Sequence, residues 1–503
     1  MSPVSVVAAA HDWQRLDRRM LLVHPIRELV RFLPALVAIA VAGTASGGAP
    51  WQALGVVVPV ALGVLRYLTT RYRIAAGRIE LRRGLLSRRV TSTPLDRVRT
   101  VDLTSSVVQR VLGLTTLRIG TGLAANDEGD ALDLDGLPVD RARALRADLL
   151  HAAPVASEDG WAGDVPAAPH DAVPLVAFDP RWLRFAPFTG TGLIVVAAVV
   201  GGASQLLESF DVWDDVRSDD LPVPSGLGIA LGVVAGVVVL VALSVLGYLV
   251  TNGGFRLTRE AGAWHVRRGL LTTRETSIDE ERLAGVAIGE PLALRLTGGR
   301  HLQAIVTGVN RSQSGSSTLV PPSDADVAPA AARAILGQRG PDGPVDAPLT
   351  GHGPAATRRR WTRALLPAVV LLLLAVAAVA TGAPWWLLVP CVVILAASAA
   401  LAADRAAGLG HALVDGHLVA RSGSLARRRE MLDVDHVIGW TLRDTWFQRR
   451  AGLIALAATT AGGRGSVGLL DVPEADAVRL ADEALPGLVS QFATVPRHGL
   501  NTL

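Results

Sequence analysis

Arginine is the residue type in this sequence whose placement could support binding chemistry. No lysine is present, so every fixed cation is a guanidinium, which can contact phosphate oxygens through two N–H groups at once. Arginines flank three glycines, and each glycine follows a long apolar stretch. Two interpretations are open for these arginines: contacts to anionic lipid headgroups, or a solvated strand face whose cations are ordinary determinants of membrane topology. The candidate lipid-binding residues are Arg82, Arg83, Arg88, Arg89, Arg267, Arg268, Arg427 and Arg428.

Residue patterns that indicate catalysis are not found in the sequence. The eleven histidines contain no H-E-x-x-H pair, and a G-x-x-x-x-G-K-[ST] loop cannot form without lysine. The single cysteine, Cys391, excludes a disulfide framework or a Cys-based metal site within one chain. The acidic run from Asp127 to Asp135 lacks EF-hand spacing, which favours a solvated hairpin over a Ca²⁺ site. We therefore predict a chain that is not an enzyme, with no catalytic residues, no metal and no cofactor.

The composition is typical of a membrane protein. Half of the 503 residues are hydrophobic, 19% are charged, and the mean hydropathy is +0.37. Soluble domains carry about a quarter charged residues. Six apolar stretches approach the roughly 20 residues that a spanning helix needs. They form three close pairs, and a re-entrant hairpin is the alternative for the first pair. The predicted spans are Phe32–Gly48, Trp51–Leu68, Pro187–Leu207, Gly226–Val250, Ala364–Gly382 and Pro384–Ala403.

The distribution of arginine predicts the orientation of these spans. Arginines such as Arg31, Arg71, Arg184 and Arg363 lie outside the pairs, whereas the loops within the pairs contain one arginine, Arg217. Short loops rich in arginine stay in the cytoplasm. We expect a multi-pass protein of the cytoplasmic (inner) membrane with both termini in the cytoplasm, and no cleavable signal peptide.

An internal repeat determines the domain organisation. The sequence around Gly84 recurs, without gaps, around Gly269 and Gly423, and we number each copy by offset from this central glycine. Glycine recurs at offsets −7 and +29, an acid at +12 and arginine at +26. The recurrent structural residues are Gly77, Gly84, Asp96, Arg110 and Gly113 in the first copy, Gly262, Gly269, Glu281, Arg295 and Gly298 in the second, and Gly416, Gly423, Asp435, Arg449 and Gly452 in the third.

Each copy has the pattern of a small β domain that ends in a helix. Ile79 and Leu81 alternate with charged residues, which indicates a half-buried strand, and glycines mark the turns on both sides. Helices are predicted at 138–150, 328–336 and 473–488, two of which begin at a proline. The copy is therefore predicted to be a β-sandwich or open barrel with a C-terminal helix.

A set of motif residues resembles the bacterial pleckstrin-homology (PH)-like domain family. In the first copy these residues are Tyr72, Gly77, Arg83-Gly84-Leu85, Asp96-Arg97-Val98, Gln109-Arg110, Gly113-Leu114 and Leu117. The third copy repeats Gln448-Arg449 and Gly452-Leu453, whereas the second has Leu294-Arg295 and Gly298-Gly299. The order of hairpins and domains resembles the triple-domain subgroup. The resemblance implies the PH sandwich-plus-helix fold, little chemistry, and a smaller membrane partner that carries one such domain.

The predicted fold class is thus an α+β membrane protein with six transmembrane helices in three hairpins, each followed by a PH-like domain. Gly228, Gly232 and Gly236 form a small-residue ridge on the fourth span, predicted to pack on another span of this chain rather than to self-associate. The predicted boundaries are 1–68 for the N-terminal segment and first hairpin, 69–152 for PH-like domain 1, 153–186 for a linker, 187–250 for the second hairpin, 251–338 for domain 2, 339–363 for a linker, 364–404 for the third hairpin, 405–492 for domain 3 and 493–503 for the tail.

These features together predict a non-enzymatic membrane scaffold or adaptor. Three tethered domains would sum weak contacts to anionic lipid and to the smaller PH-like partner, with oligomerisation possible and a role in envelope-stress adaptation. The alternative is a transporter or channel subunit, although ionisable residues are nearly absent from the spans. An enzyme that acts on lipid would need a recurrent acid or histidine pair, and none is found. Nucleic-acid binding is disfavoured because no aromatic residues interleave with the basic strands.

Overall fold

The computed structural model of the chain describes residues 13–23, 61–75 apart from positions 62, 63 and 66, 78–83, 89–94, 100–120, 132–151, 174–189, 226–260, 262–307 and 317–487. The chain forms two compact units. The first consists of Met1–Ala177, Val250–Glu280 and Gly308–Asn310, and the second of Phe178–Leu249, Glu281–Thr307 and Arg311–Leu503.

Short antiparallel strands make up most of both units. The strands are β1 (Gln14–Arg15), β2 (Arg71–Ala75), β3 (Arg78–Arg83), β4 (Arg89–Pro94), β5 (Thr100–Ser105), β6 (Leu114–Gly120), β7 (Leu132–Pro138), β8 (Val176–Ala177), β9 (Arg256–Glu260), β10 (Ala263–Arg268), β11 (Thr273–Asp279), β12 (Leu283–Pro291), β13 (Gly299–Val306), β14 (Thr318–Asp324), β15 (Gly410–Val414), β16 (His417–Ser422), β17 (Ala426–Asp433), β18 (Val437–Arg443), β19 (Leu453–Thr460) and β20 (Ser466–Pro473).

Nine α-helices, three long and six shorter, lie wholly within the described residues. They are α1 (Val107–Val111), α2 (Val139–His151), α3 (Gly226–Asn252), α4 (Leu292–Leu296), α5 (Val327–Ile335), α6 (Gly353–Ala380), α7 (Leu388–Ala407), α8 (Trp446–Arg450) and α9 (Glu474–Ala484). The helices α2, α5 and α9 lie where the sequence predicts the C-terminal helix of each copy. The predicted α+β class is confirmed at this level.

Each copy contributes six strands in the same order. The third and fourth of these flank the acid at offset +12, and we call them the third strand (β4, β11, β17) and the fourth strand (β5, β12, β18). In the first unit the sheet orders are β1-β2-β3-β4 and β7-β6-β5-β11-β10-β9-β8. In the second unit they are β14-β13-β12-β17-β16-β15 and β18-β19-β20.

The alternation of apolar and polar residues builds the core of the first and third copies. In β3, Ile79 and Leu81 are buried and pack with Leu117 and Leu134 of the other sheet and with Leu145 of α2. The third copy has the same layers, in which residues of β16, β19, β20 and α9 form one apolar cluster. A helix therefore covers the sandwich core in both copies.

Three helices are long and apolar enough to cross a membrane. The segments are Val234–Asn252, Gly353–Ala380 and Trp385–Ala407, whose most apolar 18-residue windows have mean hydropathies of 2.5, 2.5 and 2.3. Only 6% to 11% of the residues in their most apolar windows are buried, so their apolar side chains face outward as lipid contact requires. They include the fourth, fifth and sixth predicted spans. The predicted span Phe32–Gly48 lies outside the described residues, and Trp51–Leu68 and Pro187–Leu207 lie mostly outside them.

Strand pairing joins consecutive copies. The third strand of the second copy, β11, pairs with the fourth strand of the first, β5, and we call this pairing the first junction. The third strand of the third copy, β17, pairs with the fourth strand of the second, β12, and we call this the second junction. As a result, the strands of predicted domain 2 are divided, with β9–β11 in the first unit and β12–β14 in the second.

An ion pair lies inside the first junction. Arg274 on β11 donates from Nη2 to Oδ2 of Asp102 on β5 at 2.8 Å, and the Asp102 side chain is only 4% exposed. Buried carboxylates of this kind are tolerated when they accept hydrogen bonds from a cation. The pair thus links two copies at a point where the carboxylate is buried and the guanidinium is partly exposed.

A pair of histidines attaches residues 339–352, part of a predicted linker, to the third copy. Thr350 forms a β-bridge with His411, and Nδ1 of His352 lies 2.8 Å from the carbonyl oxygen of Leu470. Because this Nδ1 must donate its proton to the carbonyl, Nε2 of neutral His352 accepts from Nδ1 of His411, 3.0 Å away. Burial lowers the pKa of His411 and lowers that of His352 to about 4.

Removing the carboxylate of the first junction should destabilise the first unit. Asp102→Ala leaves Arg274 partly buried without this carboxylate, and we expect a loss of about 1–3 kcal/mol of unfolding free energy. Glu280→Ala is the control, since it removes a carboxylate that accepts from Arg259 at 2.7 Å at an exposed position and should cost less than about 1 kcal/mol. Thermal unfolding followed by tryptophan fluorescence measures both. Equal losses would contradict the structural role of the buried pair.

The histidine pair should make the stability of the third copy depend on pH. Its folded state favours neutral rings, so the unfolded chain binds more protons once the pH falls below about 6.5. Stability is therefore complete above that pH and is lost as the pH falls toward about 4. The charged groups that act on the two rings are Arg360, Asp471, Asp476 and Arg479.

We expect His352→Asn to reduce the change of melting temperature between pH 7 and pH 5. His417→Asn, a substitution on the neighbouring strand β16, serves as the matched control and should retain the wild-type change. A wild-type melting temperature that is constant from pH 7 to pH 5 would refute the assignment of two neutral, hydrogen-bonded rings.

Candidate anion-binding site

A cavity of about 510 Å³ lies beside the second junction, and we call it the basic cleft. Strands β12 and β13, helix α5 and the segment 339–352 form one side, and β16 and β17 form the other. Its charged lining consists of six arginines and three acids, namely Arg295, Arg300, Arg333, Arg421, Arg427 and Arg429 together with Glu290, Asp326 and Asp346.

The period of a β-strand determines which arginines of β17 enter the cleft. Side chains alternate between the two faces of a strand, so Arg427 and Arg429 share one face and Arg428 takes the other. Arg427 and Arg429 line the cleft, whereas Arg428 donates to Oε1 of Gln303 at 2.8 Å and lies 3.5 Å from Glu430. The run of three arginines in the sequence thus divides into two cleft residues and one structural residue.

Two of the six arginines in the basic cleft are neutralised by acids of its lining. Arg300 pairs with Glu290 at 2.8 Å, and Arg333 pairs with Asp346 at 2.6 Å. The Arg333 guanidinium lowers the pKa of the Asp346 carboxyl, so this acid stays ionised. These two ion pairs stabilise two walls of the cleft. The other four arginines supply most of its positive charge.

The other four arginines have few anionic partners. Arg295 and Arg427 both donate to a single oxygen, Oδ1 of Asp404, at 2.8 and 2.7 Å. Arg421 donates to the carbonyl oxygen of Ala407 at 3.0 Å. Arg429 donates to the carbonyl oxygens of Pro344 and Ala347, at 3.0 and 2.8 Å. Two of these four guanidinium groups therefore share one carboxylate, and the other two donate to backbone carbonyl oxygens.

Several N–H donors of the cleft are not used by the described residues. The buried atoms Nη1 of Arg295 and Nε of Arg427 and Arg429 have no hydrogen-bond partner there. Burial lowers the pKa of Arg427, and the neighbouring cations Arg295 and Arg421 lower it further. Burial likewise lowers the pKa of Arg429. Unused donors and crowded cations are the conditions that an anion with several oxygens, such as a phosphate, would relieve.

The basic cleft is attached to the end of an apolar helix. Asp404, which holds Arg295 and Arg427, lies in the last turn of α7, and Arg421 caps the carbonyl end of the same helix. Cations at a helix C-terminus are favoured by its partial negative charge. Helix α7 is one of the three helices long and apolar enough to cross a membrane.

The other predicted lipid-binding arginines occupy varied surroundings. Arg267 is 58% exposed and lies 3.7 Å from Glu275, whereas burial lowers the pKa of Arg268. The guanidinium of Arg82 lies 5.9 Å from the ring centre of Trp13. Arg83 and Arg89 lie in strands β3 and β4, their side chains are not described, and Arg88 lies outside the described residues. Lipid contact by these residues stays a prediction.

The recurrent glycines occupy turns. At Gly269, a Cβ atom would lie 2.1 Å from the carbonyl oxygen of Thr272, and at Gly423 it would lie 2.5 Å from that of Ala426, so no larger residue fits. Gly77, Gly84 and Asp96 lie outside the described residues, and Glu281 and Asp435 lie in short 3-10 turns. Positive φ angles occur at Gly113, Gly262, Gly269, Gly298, Gly416, Gly423 and Gly452.

The recurrent arginine at offset +26 contacts the following copy where one exists. In the first unit Arg110 donates to the carbonyl oxygen of Leu270 at 3.0 Å, and in the second unit Arg295 reaches Asp404. In the last copy Arg449 contacts Asp444 at 3.3 Å and is 63% exposed. The neighbouring Gln109 and Gln448 complete capping boxes at the start of α1 and α8.

The glycine ridge of α3 has no described contact at its last member. A methyl group at Gly236 would meet no described atom within 4 Å, and the surroundings of Gly228 and Gly232 are not described. Packing through this ridge stays a prediction.

Sequence reasoning missed most of the cleft. Arg300 and Arg333 belong to no recurrent motif, and the fold brings them to β17 from elsewhere in the chain. Asp404 offers a signal, because it is an acid at the end of an apolar span beside arginines. Within the described residues no group of three or more His, Cys, Asp or Glu side chains could hold a metal ion.

Comparison with known protein families supports PH-like domains in this chain. The family model described as the bacterial PH domain matches residues 25–153 and 364–482, which include the first and third copies. The second copy lies outside the matched ranges. The searches of curated proteins and of solved structures give no match. The bacterial PH-like resemblance is therefore supported, while the triple-domain grouping stays a prediction.

We expect inorganic phosphate to stabilise the wild-type protein through the basic cleft. A ligand that binds only the folded state raises its stability by RT ln(1 + [L]/Kd), about 2.7 kcal/mol at a hundredfold excess over Kd. Arg429→Gln and Arg295→Gln should reduce the rise in melting temperature, because each removes cleft donors. The control Arg479→Gln removes an exposed arginine of α9, 71% exposed, and should leave the rise unchanged. Melting curves at constant ionic strength test this, and an equal rise in all variants would refute the site.

Proposed function

We propose that the chain is a non-enzymatic integral membrane scaffold or adaptor that binds anionic lipid headgroups at the inner leaflet. The observation that carries this proposal is the basic cleft, in which six arginines face three lining acids and two of these arginines share the carboxylate of Asp404 at the end of an apolar helix. Headgroup phosphates lie at this depth and supply the missing negative charge.

The proposal includes a complete membrane arrangement. Six spans form three hairpins, each followed by a PH-like domain, and both termini lie in the cytoplasm. Three of these spans rest on apolar helices of the structure and the other three on hydropathy. The orientation rests on the placement of arginine outside the pairs of spans.

A smaller membrane protein with one PH-like domain is the proposed partner. This part rests on the family resemblance, which the match to the bacterial PH domain supports at the level of the domain. An adaptor of this kind would hold the partner beside anionic lipid, and a role in envelope-stress adaptation is the proposed context. Crosslinking and mass spectrometry in native membranes would identify the partner.

Lipid retention by the full-length protein tests the proposed function. The chain, purified in neutral detergent, is mixed with equal amounts of phosphatidylglycerol and phosphatidylcholine, and bound lipid is counted by native mass spectrometry. We expect preferential retention of phosphatidylglycerol, reduced at least threefold in Arg427→Gln/Arg429→Gln. The matched control Arg259→Gln/Arg479→Gln removes two exposed arginines outside the cleft and should retain lipid as the wild type does.

The comparison with the phosphate experiment separates a lipid site from a free-anion site. Stabilisation by inorganic phosphate without preferential retention of phosphatidylglycerol would overturn the membrane role and leave a soluble anion as the ligand. No difference between the cleft variant and its control would overturn the assignment of the cleft.

A further inference from the structure

The two junctions pair neighbouring copies in the same register. At the first junction Thr276 lies opposite Asp102, and at the second Glu430 lies opposite Ala287. Both pairs join offset +7 of the later copy to offset +18 of the earlier copy. The junction is therefore a repeated contact with a defined geometry, rather than an accident of one pair of strands.

One third strand and one fourth strand take part in neither junction. The third strand of the first copy, β4, ends its sheet, and so does the fourth strand of the third copy, β18. Among the described residues, no strand pairs with the outer edge of either. An open edge presents backbone N–H and C=O groups to any strand of matching length.

Positions that the junctions bury in the third strand are exposed on β4. At offset +8, Ser277 is 1% exposed and Met431 is fully buried, whereas Ser92 on β4 is exposed. At offset +6, where β11 and β17 carry the half-buried Glu275 and Arg429, Val90 is 53% exposed.

The fourth strand shows the same difference between internal and terminal copies. At offset +19, Leu103 is 4% exposed and Ile288 is 3% exposed, whereas Leu442 on β18 is 48% exposed. At offset +15, Ala284 is fully buried and Ile438 is 68% exposed. Two large apolar side chains thus face water on a strand whose edge is open.

We propose that the open edge of β18 binds β4 of a second copy of this chain, in the register of the internal junctions. This register places Leu442 opposite Val90, Thr441 opposite Thr91 and Trp440 opposite Ser92. The contact joins different surfaces of the two molecules, so chains add head to tail into rings or open arrays.

The cross-strand pairs favour a second copy as the occupant. At offsets +6 and +19 the internal junctions pair a charged residue with an apolar one, namely Glu275 with Leu103 and Arg429 with Ile288. The terminal strands instead supply two exposed apolar residues, Leu442 and Val90, which bury each other in this register. The threonine pair beside them is also among the favourable cross-strand pairs.

Arg449 offers a second contact of the same kind. Its equivalents Arg110 and Arg295 reach the following copy, whereas Arg449 has no following copy in its own chain and stays 63% exposed. In the head-to-tail contact it meets the first copy of the next chain.

One pair in the proposed register is unfavourable, and this makes the proposal testable. Arg443 lies opposite Arg89, and like charges directly opposite each other weaken strand pairing. Association between chains should therefore strengthen as salt screens this repulsion. An ordinary ion-pair interface would weaken instead.

Disulfide trapping tests the register. Two differently tagged full-length chains, each with Cys391→Ala, are co-expressed in membranes, one carrying Leu442→Cys and the other Val90→Cys. Directly opposite Cβ atoms lie about 4.5–5.5 Å apart, close enough for a disulfide after small shifts, whereas diagonal ones lie about 7–8 Å apart. We expect a disulfide between the two tags under mild oxidation.

The matched control moves one cysteine by two residues on the same face. Leu442→Cys with Ser92→Cys should crosslink at least threefold less, since this pair is diagonal. Equal crosslinking of both pairs, no crosslink between the tags, or a crosslink of the Leu442→Cys chain only to a different protein would overturn the proposal. A further variant carries Leu442→Cys and Val90→Cys on one chain, and a disulfide that forms only within that chain would also overturn the proposal.

A charge substitution at Arg443 gives an independent test and should leave the fold intact. Arg443→Glu puts a carboxylate opposite Arg89 and should tighten self-association up to about fivefold, with Arg443→Gln between it and the wild type. Fluorescence energy transfer between labelled chains in nanodiscs measures the affinity. Unchanged or weaker association of Arg443→Glu would contradict the register.

The outcome is separable from that of the proposed function. The substitutions at positions 90, 442 and 443 lie outside the basic cleft and should not change the retention of phosphatidylglycerol. Failure of self-association would leave lipid binding intact, and failure of lipid binding would leave the edge contact intact.

Discussion

The backbone edge of a β-sheet constrains this whole molecule. An edge strand carries N–H and C=O groups that must be paired, covered or exposed to water, and an unpaired edge readily binds another strand. Each copy of the repeat has such edges on its third and fourth strands. The chain pairs the third strand of one copy with the fourth strand of the copy before it, as in β11 with β5 and β17 with β12. The copies are thereby built into shared sheets.

This constraint also explains where the charged residues lie. Asp102 and Arg274 pair inside the first junction, and the basic cleft lies beside the second. The arginine at offset +26 reaches the following copy in both cases, through a carbonyl at Leu270 and through the carboxylate of Asp404. A residue that recurs for a structural reason thus supplies part of the candidate site, because the junction brings it to the edge of the cleft.

The sequence predicts the strands, turns and helices of each copy better than it predicts the pairing between copies. The glycine offsets and the alternation around Ile79 correctly indicate strands and turns, since both depend on residues close in the chain. The terminal helix of each copy is likewise predicted to within a few residues. Pairing between copies leaves no local signal, because any polar strand edge can pair with another. The limit is illustrated by Arg427, Arg428 and Arg429, whose run indicates a basic strand. The sequence does not predict that Arg428 donates to Gln303 while Arg427 and Arg429 line a cleft.

The charge of the cleft links its ligand to the architecture. Several guanidinium groups of the cleft are partly buried, two of them on the single carboxylate of Asp404, and buried cations without counterions cost several kcal/mol each. A bound anion removes part of this cost by accepting from Arg295 on one side of the second junction and from Arg427 and Arg429 on the other. Its binding free energy then adds to the strand pairing of β12 with β17, because it binds only when both copies are in place. Under the proposed function, lipid binding and the docking of the third copy on the second would therefore be thermodynamically coupled, each strengthening the other.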